Sequence, residues 1–140
     1  MLIVDDEHVH VALLKAMLVN VADEICAVLD SNEAEQAFKD FAPDLVLLDL
    51  HMPQPDGLEI LRRLRVGRDS VRFPPVIVLT EEERSVAKSN ALALGADDFL
   101  TKPLDRQEVV LRVRNHLRTR HLVEEIQRAS GGHTPGSEPI

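Results

Sequence analysis

Short apolar runs alternate along this chain with longer segments in which apolar residues recur every three or four positions. The runs are too short for ordinary helices and are bounded by acids or turn residues, which is typical of strands buried on both faces of a sheet. We therefore predict five strands, at residues 1–4, 23–29, 44–48, 76–79 and 98–101.

The segments between these strands have helical periodicity. Residues 7–19, for example, place Val11, Leu14 and Leu18 on one face of a helix. Neighbouring parallel strands need helical crossovers, so the alternation predicts an α/β fold, a doubly wound five-stranded parallel sheet covered by helices on both faces. The further helices are predicted at 32–41, 58–66, 82–94 and from 105 onward.

One helix start has a specific local signal. Asn32 is followed three residues later by Glu35, which is the pattern of a capping box. We therefore expect Asn32 to cap the second helix.

Polar residues follow four of the predicted strands. Asp5 and Asp6 follow the first strand, Asp49 the third, Thr80 the fourth and Lys102 the fifth. In an open parallel sheet the carboxyl ends of the strands meet at one edge, which is where ligands bind. The sequence therefore predicts a polar site made of these five side chains.

Three carboxylates placed close together have a physical consequence. Two of them about 5 Å apart repel by about 3 kcal/mol at an effective dielectric of about 20, so the cluster either takes up protons or recruits a cation. Hard oxygen ligands favour Mg²⁺ over zinc or copper. We expect Asp5, Asp6 and Asp49 to bind Mg²⁺.

Composition narrows the class of protein. The 140 residues suffice for one domain with a buried core, and a formal net charge of −8 argues against direct nucleic-acid binding. No apolar run approaches the ~20 residues that cross a bilayer, and the first residues lack a signal-peptide pattern. We therefore expect a soluble cytoplasmic protein in which the single cysteine, Cys26, is an inert core thiol.

The predicted strands are followed, in order along the chain, by an acid pair, a central acid, a hydroxyl and a lysine. This arrangement resembles that of the receiver domains of two-component response regulators. The resemblance covers nearly all of residues 1–118. It implies the flavodoxin-like receiver fold of the CheY-like superfamily, with five strands and five helices. It also implies a regulatory phosphoacceptor rather than an enzyme, which takes a phosphoryl group from a sensor histidine kinase or a phosphotransfer protein.

The resemblance assigns roles to the acidic residues. Asp49 would be the phosphoacceptor, whose carboxylate attacks the phosphoryl group of a phosphohistidine. Asp6 would bind Mg²⁺ directly, Asp5 largely through water, and the backbone carbonyl of His51 would complete the protein ligands. Such a transfer depends on positioning and charge neutralisation more than on a general base.

The remaining motif residues would hold and sense the phosphoryl group. Lys102 would place its ammonium against Asp49 and then against the phosphoryl oxygens, and Pro103 makes the preceding bond a candidate cis peptide. Thr80 would donate its hydroxyl only once a phosphoryl group is present. Phe99 matches the family's aromatic switch position, although a plain core ring is the alternative interpretation. The switch would change the face formed by the fourth helix, the fifth strand and the fifth helix.

Two acids depart from the family pattern, which usually has a small residue after the switch hydroxyl. Glu81 and Glu82 stand there instead, and together with the side chain of His51 they would modulate the access of a phosphodonor. Solvated acids in the first turn of a helix are the alternative interpretation. The other histidines, at positions 8, 10, 116, 121 and 133, lack zinc-site spacing and are expected at surface or helix positions.

Two other functions remain open. A haloacid-dehalogenase-type phosphatase also combines a strand-end aspartate, Mg²⁺ and a lysine, but it needs a second aspartate two residues after the nucleophile, where this chain has His51. An unphosphorylated pseudo-receiver that serves only as an interaction module is the other rival. It is disfavoured because a competent residue type occupies every position of the predicted site.

The end of the chain carries two successive helical stripes. The first stripe would pack the fifth helix on the sheet and ends near Arg118; it consists of Val110, Val113 and Leu117. The second has the four-then-three spacing of a short coiled coil, with Leu122, Ile126 and Ala129. We predict a receiver domain at 1–118, a helical extension at 119–128 that pairs in a homodimer, and a disordered linker or tail at 129–140.

The predicted extension would lead into a C-terminal output domain in a longer protein. The run at residues 112–118 resembles receivers attached to cyclic-di-GMP enzymes. A frayed helix end is the alternative, because short isolated helices are marginal in water.

Overall fold

The computed structural model describes residues 1–66, 73–81 and 86–130. Within these residues five parallel strands form one sheet: β1 (Leu2–Val4), β2 (Cys26–Val28), β3 (Val46–Asp49), β4 (Val76–Thr80) and β5 (Asp98–Thr101). Their spatial order is β2-β1-β3-β4-β5. The order places β1 and β3, the two strands that end in acids, side by side.

Helices cover both faces of this sheet. One face is covered by the first and fifth helices, whose Leu14 and Val113 enter one apolar core, and the other face by the second, third and fourth helices, whose Phe38, Ile60 and Ala91 enter a second core. The predicted α/β fold is therefore confirmed. The helices in the described residues are α1 (His8–Leu18), α2 (Ala34–Phe41), α3 (Gly57–Arg65), α4 (Val86–Ala93) and α5 (Arg106–Ser130).

The start of α2 differs from the predicted capping box. Asp30 is the capping residue, because its side chain accepts a hydrogen bond from the backbone amide of Asn32 at 2.9 Å. Residues 31–33 then form one 3-10 turn before α2 begins at Ala34. The prediction that Asn32 caps this helix with Glu35 is wrong, since two equally good capping side chains stand close together and the backbone path selects the earlier one.

Helix α5 packs on the sheet along an edge that differs from the predicted stripe. Val109 and Val113 are buried, whereas Val110 and Leu117 are only partly buried. The helix is thus rotated toward Val109, by less than one residue, from the orientation that its apolar spacing indicated. The reason is that Arg112 and His116, in the first half of α5, make polar contacts to Asp98 of β5, described below, in addition to the contacts of the apolar face.

The contacts of α5 also continue beyond Arg118, where the core face was predicted to end. Arg120 is half-buried, and its Nη1 donates a hydrogen bond to the carbonyl of Phe73 at 3.3 Å. Farther along, Leu122 and Ile126 are 50% and 65% exposed. The apolar seam is therefore present on the helix without a covering partner among the described residues.

The helical part of α5 reaches Ser130, two residues past the predicted end of the extension. The division into a receiver domain, an extension and a tail stays a prediction, and residues 131–140 lie outside the described ranges. Within the described ranges, none of the helices combines the length and the apolar character needed to cross a bilayer.

Candidate functional site

The structure brings the three predicted acids together at the carboxyl edge of the sheet. Asp49 is the last residue of β3, and Asp5 and Asp6 directly follow β1, the neighbouring strand. One carboxylate oxygen from each residue lies within 4.8 Å of the other two. Asp5 and Asp49 are fully buried, so their charges are poorly compensated by water.

Backbone amides donate to only two of the six carboxylate oxygens in this cluster. The amide of Glu7 donates to Asp5 Oδ1 at 3.0 Å, and the amide of His51 donates to Asp49 Oδ1 at 3.1 Å. Three buried oxygens have no hydrogen-bond partner among the described residues: Asp5 Oδ2, Asp6 Oδ1 and Asp49 Oδ2. Because buried polar atoms are nearly always paired, these three oxygens fit a bound hard cation such as Mg²⁺.

Gly57 allows α3 to begin directly against this cluster. A Cβ atom at Gly57 would clash with the backbone carbonyl oxygen of Asp49 and would lie 2.7 Å from Leu50 Cα. Asp56 caps the same helix by accepting a hydrogen bond from the amide of Glu59 at 3.0 Å. The Asp56-Gly57 turn therefore allows the start of α3 to pack directly against the backbone of Asp49.

Lys102 supplies a positive charge to the cluster from the end of β5. Its Nζ lies 3.2 Å from Asp49 Oδ1 and 3.8 Å from both Asp5 Oδ2 and Glu81 Oε1. Its backbone amide donates to the Thr80 carbonyl at 2.8 Å, which continues the β4–β5 ladder. The Lys102–Pro103 peptide is cis, as is the bond between Gln54 and Pro55.

The environment of Asp49 raises the pKa of its carboxyl to about 6. Burial is the largest cause, followed by the negative charge of Asp5, while the His51 amide and the Lys102 ammonium act in the opposite direction. In the absence of a cation, the ionised form of Asp49 is therefore less stable in the folded protein than an exposed carboxylate would be. A cation that binds the free oxygens would favour the ionised, nucleophilic form.

Thr80 and its neighbours form the other side of the site. Thr80 is fully buried at the end of β4, one residue beyond Leu79, the partner of Asp49 in the β3–β4 ladder. The side chain of Glu81 is 54% exposed although its oxygen approaches Lys102. The side chain of His51 is exposed, and Glu82 lies outside the described residues.

Phe99 is only partly buried and lies under cations from two helices. Lys88 Nζ from α4 stands 4.0 Å from the ring centroid, and Arg112 Cζ from α5 stands 5.7 Å from it. Such contacts favour a cation over the face of the ring. The ring thus links α4 and α5 at the position that the resemblance assigns to a switch.

A polar network beside Phe99 holds α5 to β5, and it is not among the features predicted from the sequence. Arg112 Nη1 donates to Asp98 Oδ1 at 2.7 Å, and His116 Nε2 lies 3.0 Å from Asp98 Oδ2. Burial raises the pKa of Asp98, but the hydrogen bonds from His116, the Phe99 amide and Arg112 outweigh it, and the net pKa lies below the ordinary value. The four-residue spacing of Arg112 and His116 on one helix face was a signal for a shared acidic partner.

His10 is the other residue whose contacts the sequence did not indicate. It lies on α1, in line with the expectation of a surface or helix position, but its contacts were not predicted: its Nδ1 lies 3.1 Å from Lys102 Nζ and 3.3 Å from Asp5 Oδ2. The usable signal was its position on the first turn of α1, three residues after Glu7 and close behind the strand-end acids.

Comparisons with known proteins agree with this fold. The family model of the response regulator receiver domain matches residues 1–114. A crystal structure from Chloroflexus aurantiacus J-10-fl, described as a response regulator, is 32% identical over 84% of this chain and 95% of that chain, with a TM-score of 0.76. The chain therefore belongs to the response regulator receiver domain family, which confirms the resemblance found in the sequence.

Two similar structures come from longer chains. NtrX from Brucella abortus is 28% identical over 91% of this chain, with a TM-score of 0.80. A chain described as a two-component system response regulator/GGDEF domain protein is 26% identical over 86% of this chain, with a TM-score of 0.78. This chain spans only 28% of the former and 49% of the latter.

Proposed function

We propose that this chain is the phosphoacceptor receiver of a two-component response regulator, in which Asp49 takes a phosphoryl group from a phosphohistidine on a sensor histidine kinase or phosphotransfer protein. One observation carries the proposal: the buried Asp49 carboxylate stands beside two further carboxylates with free oxygens and 3.2 Å from the ammonium of Lys102. The domain acts in the cytoplasm and regulates a partner or output domain, rather than turning over a substrate of its own.

The residues of the site have separate roles in the transfer. Asp5, Asp6 and Asp49, with the backbone carbonyl of His51, would hold Mg²⁺, which would offset the charge shared by the carboxylates and the phosphoryl oxygens. The Asp49 carboxylate forms a bond to phosphorus as the phosphorus–nitrogen bond of the donor breaks. The electron pair of that bond stays on the leaving imidazole nitrogen, and the product is an aspartyl phosphate.

Lys102 and Thr80 then act on the product. Lys102, a compact point charge on a flexible stem, follows the negative charge from the Asp49 oxygen to the new phosphoryl oxygens. Thr80 donates its hydroxyl to a phosphoryl oxygen, a contact that only the phosphorylated state offers. It therefore biases the equilibrium between two arrangements of the domain.

The switched surface is the face formed by α4, β5 and α5. Phe99 lies there between Lys88 and Arg112, so an inward movement of its ring would release both cations. The rearranged face controls homodimerisation or a C-terminal output domain in a longer protein, with a cyclic-di-GMP enzyme as one candidate. The lengths of the two multi-domain relatives support an output domain, and the exposed seam of Leu122 and Ile126 supports a dimer.

The proposal is tested by incubating the protein with a small acyl phosphate donor, with Mg²⁺ or with a chelator. We expect Mg²⁺-dependent addition of one phosphoryl group, which hydroxylamine removes because it is an acyl phosphate. Asp49→Asn should take up none, whereas Asp23→Asn, a change of the same kind at an exposed aspartate, should behave as wild type. Uptake of phosphate by Asp49→Asn contradicts the assignment of the phosphoacceptor.

The rival functions give different results in the same assay. A pseudo-receiver takes up no phosphate under any condition. A phosphatase of the haloacid-dehalogenase type releases phosphate continuously from phosphate esters in the presence of Mg²⁺. An absence of phosphate uptake would rule out the phosphotransfer role. Continuous release of phosphate would identify the protein as a phosphatase instead.

A further inference from the structure

We propose that His10 is a positioning residue that holds the ammonium of Lys102 against Asp49. This inference rests on the proposed function, because it concerns how the site is kept ready for a phosphoryl group. His10 itself touches neither the predicted phosphoacceptor nor the incoming group, and it acts through Lys102.

The distances around Lys102 separate two close partners from two remote ones. Its Nζ lies 3.1 Å from His10 Nδ1 and 3.2 Å from Asp49 Oδ1, but 3.8 Å from the nearest oxygens of Asp5 and Glu81. The two close contacts are hydrogen bonds, whereas the longer approaches are ion pairs without one. The hydrogen bonds to His10 and Asp49 therefore determine the position of the Lys102 ammonium.

The roles of the two ring nitrogens follow from their neighbours. An ammonium can only donate, so His10 Nδ1 must accept from Lys102 and the ring proton must lie on Nε2. Nε2 lies 3.4 Å from Glu7 Oε2, close enough for an electrostatic contact between the Nε2 proton and the carboxylate. Asp5 Oδ2, although 3.3 Å from Nδ1, has no hydrogen-bond partner among the described residues, so it does not compete for the ring.

The result is a chain of contacts that runs from Glu7 through His10 and Lys102 to Asp49. Glu7 is the residue that precedes α1, and its amide also supports Asp5, so the chain ties the charged site to the start of one helix. A lysine side chain has large conformational freedom, and a single acceptor restrains it less than two do. Without His10, the ammonium would be free to move toward the carboxylates of Asp5 or Glu81.

The test uses a matched set of substitutions in the full 140-residue chain. His10→Asn places an amide oxygen near the position of Nδ1 and keeps the acceptor, whereas His10→Leu removes it. His8→Leu makes the same change at an exposed histidine two residues earlier on the same helix. Circular dichroism and thermal melting establish that each variant is folded, and His10→Ala replaces His10→Leu if the latter is not.

The first measurement is the hydrogen exchange of the Lys102 ammonium protons, followed by NMR on protein with ¹⁵N-labelled lysine and no metal. The sequence has four lysines, so Lys102→Arg assigns the signal. We expect slow exchange in wild type, His8→Leu and His10→Asn, and faster exchange in His10→Leu. Unchanged exchange in His10→Leu overturns the proposal.

The second measurement is the rate of phosphorylation by a small acyl phosphate donor at saturating Mg²⁺. Loss of a hydrogen bond to a charged group should slow His10→Leu by about tenfold, and His10→Asn should recover most of that loss. An unchanged rate in His10→Leu also overturns the proposal. If wild type itself is not phosphorylated, the proposed function fails, and the Lys102 exchange alone decides the role of His10.

Discussion

Lys102 Nζ lies 3.2 Å from Asp49 Oδ1, and this contact joins the end of β5 to the end of β3 across the intervening strand β4. The ion pair offsets only part of the cost of the buried Asp49 charge, because the pKa of Asp49 is still raised to about 6. Because the ionised Asp49 carboxylate is destabilised in the folded protein, it should lower the free energy of unfolding at pH values at which it is ionised.

The first prediction concerns the replacement of this charge. A carboxyl whose folded pKa is raised binds more protons in the folded state than in the unfolded state, so its contribution to stability falls as pH rises from about 4 through about 6. Asp49→Asn lacks that fall and should exceed wild type in free energy of unfolding by about 3 kcal/mol at pH 7 in metal-free buffer.

Urea unfolding of both proteins from pH 4 to pH 8, with a chelator present, measures this difference. The two stability curves should lie close together near pH 4, diverge between about pH 4 and about pH 6, and keep a constant separation above that range. Asp23→Asn, at an exposed position, serves as the control and should follow wild type. Parallel curves for wild type and Asp49→Asn would show that the Asp49 charge is not strained.

The second prediction concerns the metal. Asp6 provides one of the three free buried oxygens, so Asp6→Ala should weaken Mg²⁺ binding. A ligand at 100 times its dissociation constant stabilises a protein by about 2.7 kcal/mol. Mg²⁺ should therefore raise the melting temperature of wild type clearly and that of Asp6→Ala little. Equal shifts in the two proteins would remove Asp6 from the ligand set.

The third prediction concerns access to the site. Glu81 Oε1 lies 3.8 Å from Lys102 Nζ, so it adds negative charge beside the place that a phosphoryl group would occupy. Glu81→Gln should be phosphorylated faster by small anionic donors, with a difference that narrows as salt rises because the charge is exposed. Glu33→Gln, at another exposed acid, is the control. Equal rates at low salt would return Glu81 to the role of a solvated surface acid.

The fourth prediction concerns the contact of β5 with α5. Asp98 has a lowered pKa, so its favourable contribution is present above its ordinary pKa of about 4 and is lost as pH falls through the lower folded value. Asp98→Asn weakens the bonds to Arg112 and His116 and should cost about 2 kcal/mol at pH 7. Chemical unfolding should show this loss at pH 7 and a smaller one below pH 4. If the loss of free energy of unfolding in Asp98→Asn does not change with pH, the loss results from altered packing rather than from the missing charge.

The fifth prediction concerns the exposed seam of α5. Sedimentation of wild type, with and without an acyl phosphate mimic, should reveal self-association that Leu122→Glu/Ile126→Glu abolishes. Arg128→Glu changes the net charge by the same two units away from the seam and should still associate. If the double variant associates as strongly as wild type, the dimer contact lies elsewhere, on the face of α4, β5 and α5.

Much of the site could be predicted from the sequence because its residues are defined by local order. Asp5, Asp49 and Thr80 directly follow apolar runs, and Lys102 follows one after a single threonine. Parallel strands bring such positions to one edge of the sheet whatever their separation along the chain. The alternation of strand and helix patterns likewise determined the fold class. These inferences need only periodicity and the geometry of parallel sheets.

The tertiary structure decided what depends on distances between remote segments. His10 and Lys102 are 92 positions apart, and nothing in the periodicity of α1 indicates that its first turn faces the end of β5. The partners of Asp98 and the rotation of α5 depend in the same way on how the helix docks. Side-chain contacts between different helices and strands depend on tertiary packing, which the spacing of apolar residues within one segment does not determine.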